Sequence, residues 1–164
     1  MYQNIILLTL FLSVISISQS FAQQPHQLQL AGDITAEQAT TILQKAEKIA
    51  KSQGILVNIA IVDAGANLKA FLRMDGSYLG SIDVAIKKAE TSRYFNCPTG
   101  DLGKITQPGT AIYNIDHSNG GLITFPGGVP IKDKDGVIIG AIGISGGTIE
   151  QDHQIASEAA KSIL

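Results

Sequence analysis

Tryptophan is absent from this chain of 164 residues, and cysteine occurs only once, at Cys97. A single cysteine excludes an intramolecular disulfide, so packing must stabilise the fold. The 12 lysines and arginines are scattered and form no basic stripe, which argues against a nucleic-acid-binding protein. With a net charge of −2 and 45% hydrophobic residues, the composition predicts one small, mildly acidic domain with enough apolar side chains for a core.

Side-chain charge is also missing from the first 32 residues, apart from a possible charge on His26. The apolar run from Ile5 to Ile17 has the length of a signal-peptide core and is too short to span a bilayer comfortably. Small residues follow at Ser20 and Ala22, which predicts cleavage after Ala22. A buried N-terminal helix is the alternative interpretation of the same run.

Cleavage after Ala22 would divide the chain into three parts. We expect residues 1–22 to be a signal peptide, residues 23–33 a polar N-terminal arm, and residues 34–164 the folded domain. The lone cysteine lies far downstream, so a lipoprotein anchor at the cleavage site is excluded. The protein is therefore expected to be periplasmic or secreted, with no membrane attachment after the signal peptide is removed.

Helix and strand patterns follow one another in an order typical of an α+β fold. The expected order is helix, two strands, helix, irregular loop, three strands and helix. Because hairpins dominate and no parallel crossover is required, we expect a single layered domain with an antiparallel five-stranded sheet flanked by helices. The third of the five strands is predicted at Leu122 to Phe125.

Three of the helices have recognisable starts. The middle helix is predicted to begin with Ser81 as its N-cap and to end near Phe95, and small residues on its inner stripe predict close contact with the sheet. Its Lys87, Lys88 and Glu90 are expected to face outward. Capping boxes predict the starts of the first and last helices, and they pair Thr35 with Gln38 and Thr148 with Gln151.

A glycine-rich stretch from Gly127 to Gly147 predicts a β-hairpin around the turn Asp133–Gly136. Its end, Gly143-Ile144-Ser145-Gly146-Gly147, matches the G-x-S-x-G pattern of a nucleophile elbow. Asp152 and His153 would have to complete the triad, but neighbours on one helix point about 100° apart, so a Ser145 hydrolase is disfavoured. The same glycines could instead present free N–H groups to an anion at the start of the last helix.

Two further places carry candidate ligand-binding residues. Cys97 precedes Pro98, and a Cys-Pro pair can present a thiolate to haem iron, although a buried structural cysteine is the simpler interpretation. His117, beside Asp116 in an irregular loop, is either a single metal ligand or a solvated histidine.

Arg73 and Asp75 close the second strand. Either they form an ion pair that holds the corner, or they stand at the rim of a pocket. Sequence alone leaves both alternatives open.

Taken in order, six motifs resemble those of the GlcG/HbpS haem-binding family, which includes the C-terminal domain of PduO-type corrinoid adenosyltransferases. The match runs from about Thr35 to Leu164. The motifs are Val62-Asp63-Ala64-Gly65-Ala66, Arg73-Met74-Asp75-Gly76, Lys88-Ala89-Glu90-Thr91, Pro98-Thr99, Gly127-Gly128-Val129-Pro130-Ile131 and Gly140-Ala141-Ile142-Gly143-Ile144-Ser145-Gly146-Gly147.

This resemblance implies an antiparallel sheet flanked by helices, assembly into homo-oligomers, and haem as the cofactor in some members. In one exported branch the threonine of the Pro-Thr motif is implicated in holding the iron, which would be Thr99 here. Other members use a histidine that matches none of the three in this chain. The adenosyltransferase domain is absent, so corrinoid adenosylation does not carry over.

The resulting hypothesis is an exported homo-oligomer that binds or sequesters haem. Thr99, Cys97 or His117 would lie near the iron, with Arg73 and Asp75 at the pocket, and Arg73 or helix N-termini near the propionates. The alternatives are a small-molecule-binding protein or enzyme that uses the same pocket for an organic substrate, and a structural oligomer without a ligand. No catalytic residue is assigned.

Overall fold

The computed structural model of this chain describes residues 32–163. The predicted signal peptide and nearly all of the predicted arm lie outside this range, so export and cleavage remain predictions. Among the described residues, no helix has the length and apolar character needed to cross a membrane.

Residues 32–163 form four strands and four helices, together with two short 3₁₀ turns at Ile115–His117 and Lys161–Ile163. The strands form one antiparallel sheet in the order β2-β1-β4-β3. In chain order the elements are α1 (Ala36–Ser52), β1 (Asn58–Val62), β2 (Leu68–Arg73), α2 (Ser81–Phe95), α3 (Thr99–Lys104), β3 (Gly128–Lys132), β4 (Ile138–Ser145) and α4 (Ile149–Ala160).

The expectation of an α+β fold with an antiparallel sheet is confirmed, but the sheet has four strands instead of five. Leu122 to Phe125, the predicted third strand, is not a strand. Its backbone groups bind helix side chains instead of a neighbouring strand. The Ile123 N–H donates to the Thr91 hydroxyl at 3.1 Å, and the Phe125 carbonyl accepts from the Thr99 hydroxyl at 2.8 Å.

The main core lies between the sheet and the pair α1 and α4. Four isoleucines meet the apolar stripes of both helices there and are fully buried: Ile59 and Ile61 of β1, and Ile142 and Ile144 of β4. Each isoleucine that is completely removed from water contributes on the order of 1.5–3 kcal/mol. The capping boxes predicted for α1 and α4 are both present, so the sequence defines where these two helices begin.

On the other face, α2 lies close to the sheet, as its small residues predict. Ala85 and Ala89 of α2 pack against Ala60 and Ala141. A Cβ atom on Gly143 would collide with the Ala85 carbonyl oxygen, so only glycine permits this approach. The helix begins at Ser81, but Gly80 occupies the N-cap position and no side chain caps it. The prediction of Ser81 as N-cap was therefore wrong by one residue.

The predicted hairpin around Asp133–Gly136 is confirmed as β3 and β4. The Asp133 carboxylate accepts the N–H groups of Asp135 and Val137, both at 2.9 Å, and Gly136 has a positive φ of 82°. The second arm is buried on both faces, since Ile142 and Ile144 face the main core while Ala141 and Gly143 face α2.

Candidate ligand-binding groove

One end of the sheet gathers most of the conspicuous loops. There β1 begins at Asn58, which lies opposite Arg73 at the end of β2 and opposite Ser145 at the end of β4. The segments that follow β2 and β4, and the one that precedes β1, therefore converge. We call this the Ser145 end of the sheet.

A cleft of about 570 Å³ opens at the Ser145 end. Three backbone segments and one side chain form its wall: residues 54–56 before β1, residues 76–78 after β2, residues 146–148 between β4 and α4, and Gln151. Four of these positions are glycines, so much of the wall is backbone. Its volume lies within the range of about 300–1,000 Å³ that is usual for small-molecule sites.

A second cleft, of about 350 Å³, adjoins the first at Leu56, whose half-exposed side chain lines both. Glu47 and Lys51 of α1 and residues 72–75 complete its wall. We call the two clefts together the central groove. One arm of the groove thus carries charged side chains, and the other carries glycine backbone with an aromatic residue, Tyr78.

Arg73 and Asp75 line this second cleft. No ion pair within residues 32–163 joins them. Of the two alternatives that the sequence left open, the structure therefore agrees with a pocket rim. Lys51, by contrast, is paired with Glu47 at 2.6 Å on the surface of α1.

The backbone of the loop from Met74 to Tyr78 is held by hydrogen bonds from β1, from α2 and within the loop. Asn58 is fully buried and donates from its side-chain amide to the Tyr78 carbonyl at 3.0 Å. The Ser77 hydroxyl donates to the Met74 carbonyl at 2.7 Å, and the Ser81 N–H donates to the Tyr78 carbonyl at 3.2 Å. These bonds fix the loop backbone, while the Tyr78 side chain extends outward and the residue is 73% exposed.

A buried ion pair lies behind the groove wall. Lys88 Nζ donates to Asp152 Oδ2 at 2.8 Å and to the Ile144 carbonyl at 2.8 Å, and the two side chains are 0% and 3% exposed. The ring of Phe125 lies 4.9 Å from the ammonium. Burial lowers the pKa of Lys88 from its ordinary value, and the adjacent Asp152 carboxylate opposes part of that shift.

Lys88 was expected to face outward, and this prediction was wrong. Its position three residues after Ala85 places it on the inner face of α2, so the helical spacing contained the signal and the charge was misleading. Burial becomes possible because Asp152, 64 positions further along the chain, arrives from α4. No local pattern reveals that partner.

The same pair holds the turn that forms part of the groove wall. The second Asp152 oxygen accepts the Gly147 N–H at 2.9 Å, while Lys88 holds the Ile144 carbonyl on the other side of the turn. The Thr148 N–H is taken by Gln151 at 2.9 Å. The N–H groups of Gly147 and Thr148, which lead into α4, are therefore already bonded and offer no donor to the anion site considered from the sequence.

Ser145 is buried and belongs to the β4 ladder opposite Asn58. The Asp152 carboxylate is engaged by Lys88 and by the Gly147 N–H, so it does not orient His153. His153 instead approaches Ser157 at 3.4 Å. This arrangement provides no catalytic triad.

Thr99 is fully buried and braces a loop. Its hydroxyl donates to the Phe125 carbonyl at 2.8 Å and accepts the Gly128 N–H at 3.0 Å. Both interactions join α3 to the segment that leads into β3. Its proposed part in holding iron remains an untested prediction, and the visible function of the hydroxyl is this bridge.

Cys97 is partly buried at the junction between α2 and α3. Burial, and to a smaller extent the nearby Asp101 carboxylate, raise the pKa of the Cys97 thiol above its ordinary value. The thiol form is therefore favoured at neutral pH. A thiolate ligand to iron would have to be generated against this preference.

His117 ends the 3₁₀ turn, and its side chain is 78% exposed. None of Cys97, Thr99 and His117 lines the central groove. A third cleft, of about 300 Å³, lies beside α3 and is lined by Gly100 and Phe125 among others, but by none of these three residues. The structure thus places Arg73 and Asp75 together and the three proposed iron neighbours elsewhere.

Sequence reasoning missed the part that four residues play in shaping the groove: Asn58, Tyr78, and Lys88 with Asp152 as an ion pair. Asn58 offered a faint signal, because a side-chain amide in an otherwise apolar strand must find a buried partner. Among residues 32–163, no group of three or more histidine, cysteine or acidic side chains is arranged to hold a metal ion.

Comparison with known proteins gives consistent matches. The HbpS-like family, described as "Haem degrading protein HbpS-like", matches residues 34–161. An uncharacterised 15.0 kDa protein from the dhaT-dhaS intergenic region of Citrobacter freundii is 34% identical over 77% of this chain and 89% of its own length.

The corrinoid adenosyltransferase PduO of Salmonella typhimurium is 40% identical over 65% of this chain, but this match spans only 32% of PduO. The crystal structure described as a PduOC:heme complex has a TM-score of 0.74 and 33% sequence identity. It covers 80% of this chain and 97% of that chain.

Proposed function

This chain belongs to the HbpS-like family, and on that basis we propose that it is an exported haem-binding protein that holds its ligand in the central groove. The observation that carries the proposal is the composition of the groove. An arm lined by glycine backbone, Leu56 and Tyr78 lies next to an arm that carries Arg73, whose charge no ion pair within residues 32–163 uses. Support also comes from the similar fold described in complex with haem.

Haem combines a flat apolar ring with two carboxylates, and the groove offers a partner for each part. Leu56, Leu72 and Tyr78 supply apolar surface for a ring face. Arg73 can pair with a propionate in a bidentate manner. The glycines at positions 76, 146 and 147 keep the wall low enough for a flat group to lie against the backbone. The residues present therefore fit haem.

The protein would supply binding, orientation and shielding, while any redox chemistry would come from the bound iron. Leu56 and Tyr78 would exclude water from one face of the ring. Arg73 would set its orientation through the propionates, and the Lys88–Asp152 pair would keep the Gly146–Thr148 wall in place behind it. These roles suit a protein that captures or stores haem.

Titration of the purified protein with ferric hemin tests the proposal. We expect a saturable shift of the Soret band, and Arg73→Gln should weaken binding about tenfold through loss of a charge-assisted contact of about 1.4 kcal/mol. Lys134→Gln is the matched control, because it removes one positive charge from the exposed Asp133–Gly136 turn at the other end of the sheet. Non-saturable binding that is equal in all three proteins would refute the proposal.

Export and assembly are further parts of the proposal. Secretion is supported by the apolar N-terminal run and by the small residues Ser20 and Ala22. The mass of the protein recovered from the periplasm or medium should correspond to a chain that begins at Gln23. Light scattering should report a homo-oligomer, and a monomer at micromolar concentration would contradict that part alone.

A further inference from the structure

The residue types that commonly hold haem iron are histidine, cysteine, methionine and tyrosine. Within the described chain, His117, His153 and Cys97 line neither arm of the central groove, whereas Met74 and Tyr78 do. We propose that the phenol oxygen of Tyr78 is the protein ligand to ferric haem iron in this groove. The inference rests on the proposed function and names the atom that would complete it.

Tyr78 combines a fixed backbone with an exposed side chain, as an iron ligand on a protein surface requires. Its carbonyl is fixed by the buried Asn58 amide at 3.0 Å and by the Ser81 N–H at 3.2 Å, so its backbone position is determined by the sheet and by α2. The residue nevertheless remains 73% exposed, and within residues 32–163 its hydroxyl makes no hydrogen bond. Because the backbone of Tyr78 is already fixed, ligand binding would cost only the conformational entropy of its side chain.

The surroundings of Tyr78 favour a large apolar ligand. Leu79 is as exposed as Tyr78, and Leu56 and Ile149 are half exposed at the same end of the sheet. Burial of these side chains against a porphyrin would contribute roughly 25 cal/mol per Å² of apolar area removed from water. Arg73 lies in the adjoining arm of the groove, and Leu56 lines both arms.

Met74 is the weaker candidate for two reasons. Its side chain is only 6% exposed and packs in the main core, so coordination would require it to leave that core. A thioether is also a soft ligand, whereas a phenolate is a hard anionic one that suits ferric iron. On binding, Tyr78 would release its phenol proton to solvent and its phenolate oxygen would take the place of a water on the ferric iron, with no electron transferred.

Visible absorption and resonance Raman spectra of the ferric hemin complex provide the test. We expect a phenolate-to-iron charge-transfer band with phenolate ring modes in the unmodified protein, and Tyr78→Phe should abolish both and weaken hemin binding at least tenfold. Tyr94→Phe and Tyr113→Phe are matched controls, since these tyrosines are 49% and 53% exposed and line none of the three clefts. Both controls should retain the band.

Several results would overturn the inference. If the Tyr78→Phe complex keeps the spectrum of the unmodified protein, another residue is the ligand, while the proposed haem function stands. If the unmodified protein shows no phenolate band and Met74→Leu, but not Tyr78→Phe, changes the Soret spectrum, the Met74 thioether is the ligand and the inference fails. If the unmodified protein shows no saturable Soret shift, both the function and this ligand are refuted. The urea midpoint of Tyr78→Phe should equal that of the unmodified protein, because the ring is exposed.

Discussion

Replacing Lys88 by methionine should strongly destabilise the domain. The substitution keeps an apolar stem of similar length but removes the ammonium that binds Asp152 at 2.8 Å and the Ile144 carbonyl at 2.8 Å. Asp152 then remains a carboxylate that is 3% exposed, with the Gly147 N–H as its remaining partner. A buried charge that loses its partner costs about 3–5 kcal/mol.

That loss is large beside the 5–15 kcal/mol by which a domain of ordinary stability is folded. With a urea slope of roughly 1–3 kcal/mol per M, the unfolding midpoint should fall by roughly 2 M. Urea unfolding followed by circular dichroism measures this shift. The unfolding slope should stay constant if the variant still folds to the same compact state.

Two comparison variants identify the cause. Lys87→Met makes the same substitution one residue earlier, where the lysine forms a surface pair with Asp83 at 3.2 Å, and should cost less than about 1 kcal/mol. The double variant Lys88→Met/Asp152→Asn removes both charges and keeps an acceptor for the Gly147 N–H. It should recover at least half of the loss. The reasoning is refuted if Lys88→Met costs no more than Lys87→Met, or if the double variant is as unstable as the single one.

Three further predictions concern Thr99, Gly143 and Cys97. Thr99→Val leaves the Phe125 carbonyl and the Gly128 N–H without their partner and should cost about 2–3 kcal/mol in urea unfolding. Thr99→Ser keeps the hydroxyl and should cost less than about 1 kcal/mol. Gly143→Ala forces α2 away from the sheet and should lower the free energy of unfolding by about 1–3 kcal/mol or more. Gly80→Ala is the control, because a Cβ atom there meets open space and should not lower stability. Equal thermal midpoints for the two variants would contradict the close packing of α2. Because burial raises the pKa of Cys97, its thiolate forms only at higher pH. The pH at which the alkylation rate of Cys97 reaches half its maximum should therefore lie above that of a free thiol. A midpoint below that of a free thiol would contradict the buried environment.

The Thr99 prediction also bears on haem binding. If a Thr99 variant lost hemin binding and stability together, the bridge from Thr99 to the Phe125 carbonyl and the Gly128 N–H would account for both effects. Thr99→Ser keeps the hydroxyl, and with it both the bridge and any contact of that oxygen with iron, so it controls only for the methyl group. Comparing Thr99→Val with a variant of equal stability loss, such as Gly143→Ala, separates the roles, because only loss of an iron ligand would weaken hemin binding beyond the effect of instability.

The predictions that succeeded rest on short-range signals. Capping boxes at Thr35 and Thr148 lie within four residues of chain, and the Asp133–Gly136 turn joins strands that are adjacent in sequence. The close approach of α2 likewise follows from its own small residues. The predicted third strand was wrong because Leu122–Phe125 has an apolar strand pattern but hydrogen-bonds to Thr91 and Thr99, which belong to distant helices.

The candidate site residues also divide into those that a local motif located and those that it did not. The motif at the end of β2 suggested that Arg73 and Asp75 stand at the rim of a pocket, and both line the central groove. Cys97, Thr99 and His117 also belong to recognisable motifs, but proximity to a common ligand depends on how loops meet in space. None of these three lies in the groove.

Local patterns in the chain were sufficient to define its helices, its hairpins and its family. They could not determine that Lys88 turns inward, that Tyr78 stands over a cleft on a loop anchored by Asn58, or that the glycines after β4 form a groove wall instead of a nucleophile elbow. Each of these features depends on partners 20 to 64 residues away. Such pairings form when the sheet and its helices assemble, because only then does burial force every charge and amide to find a partner.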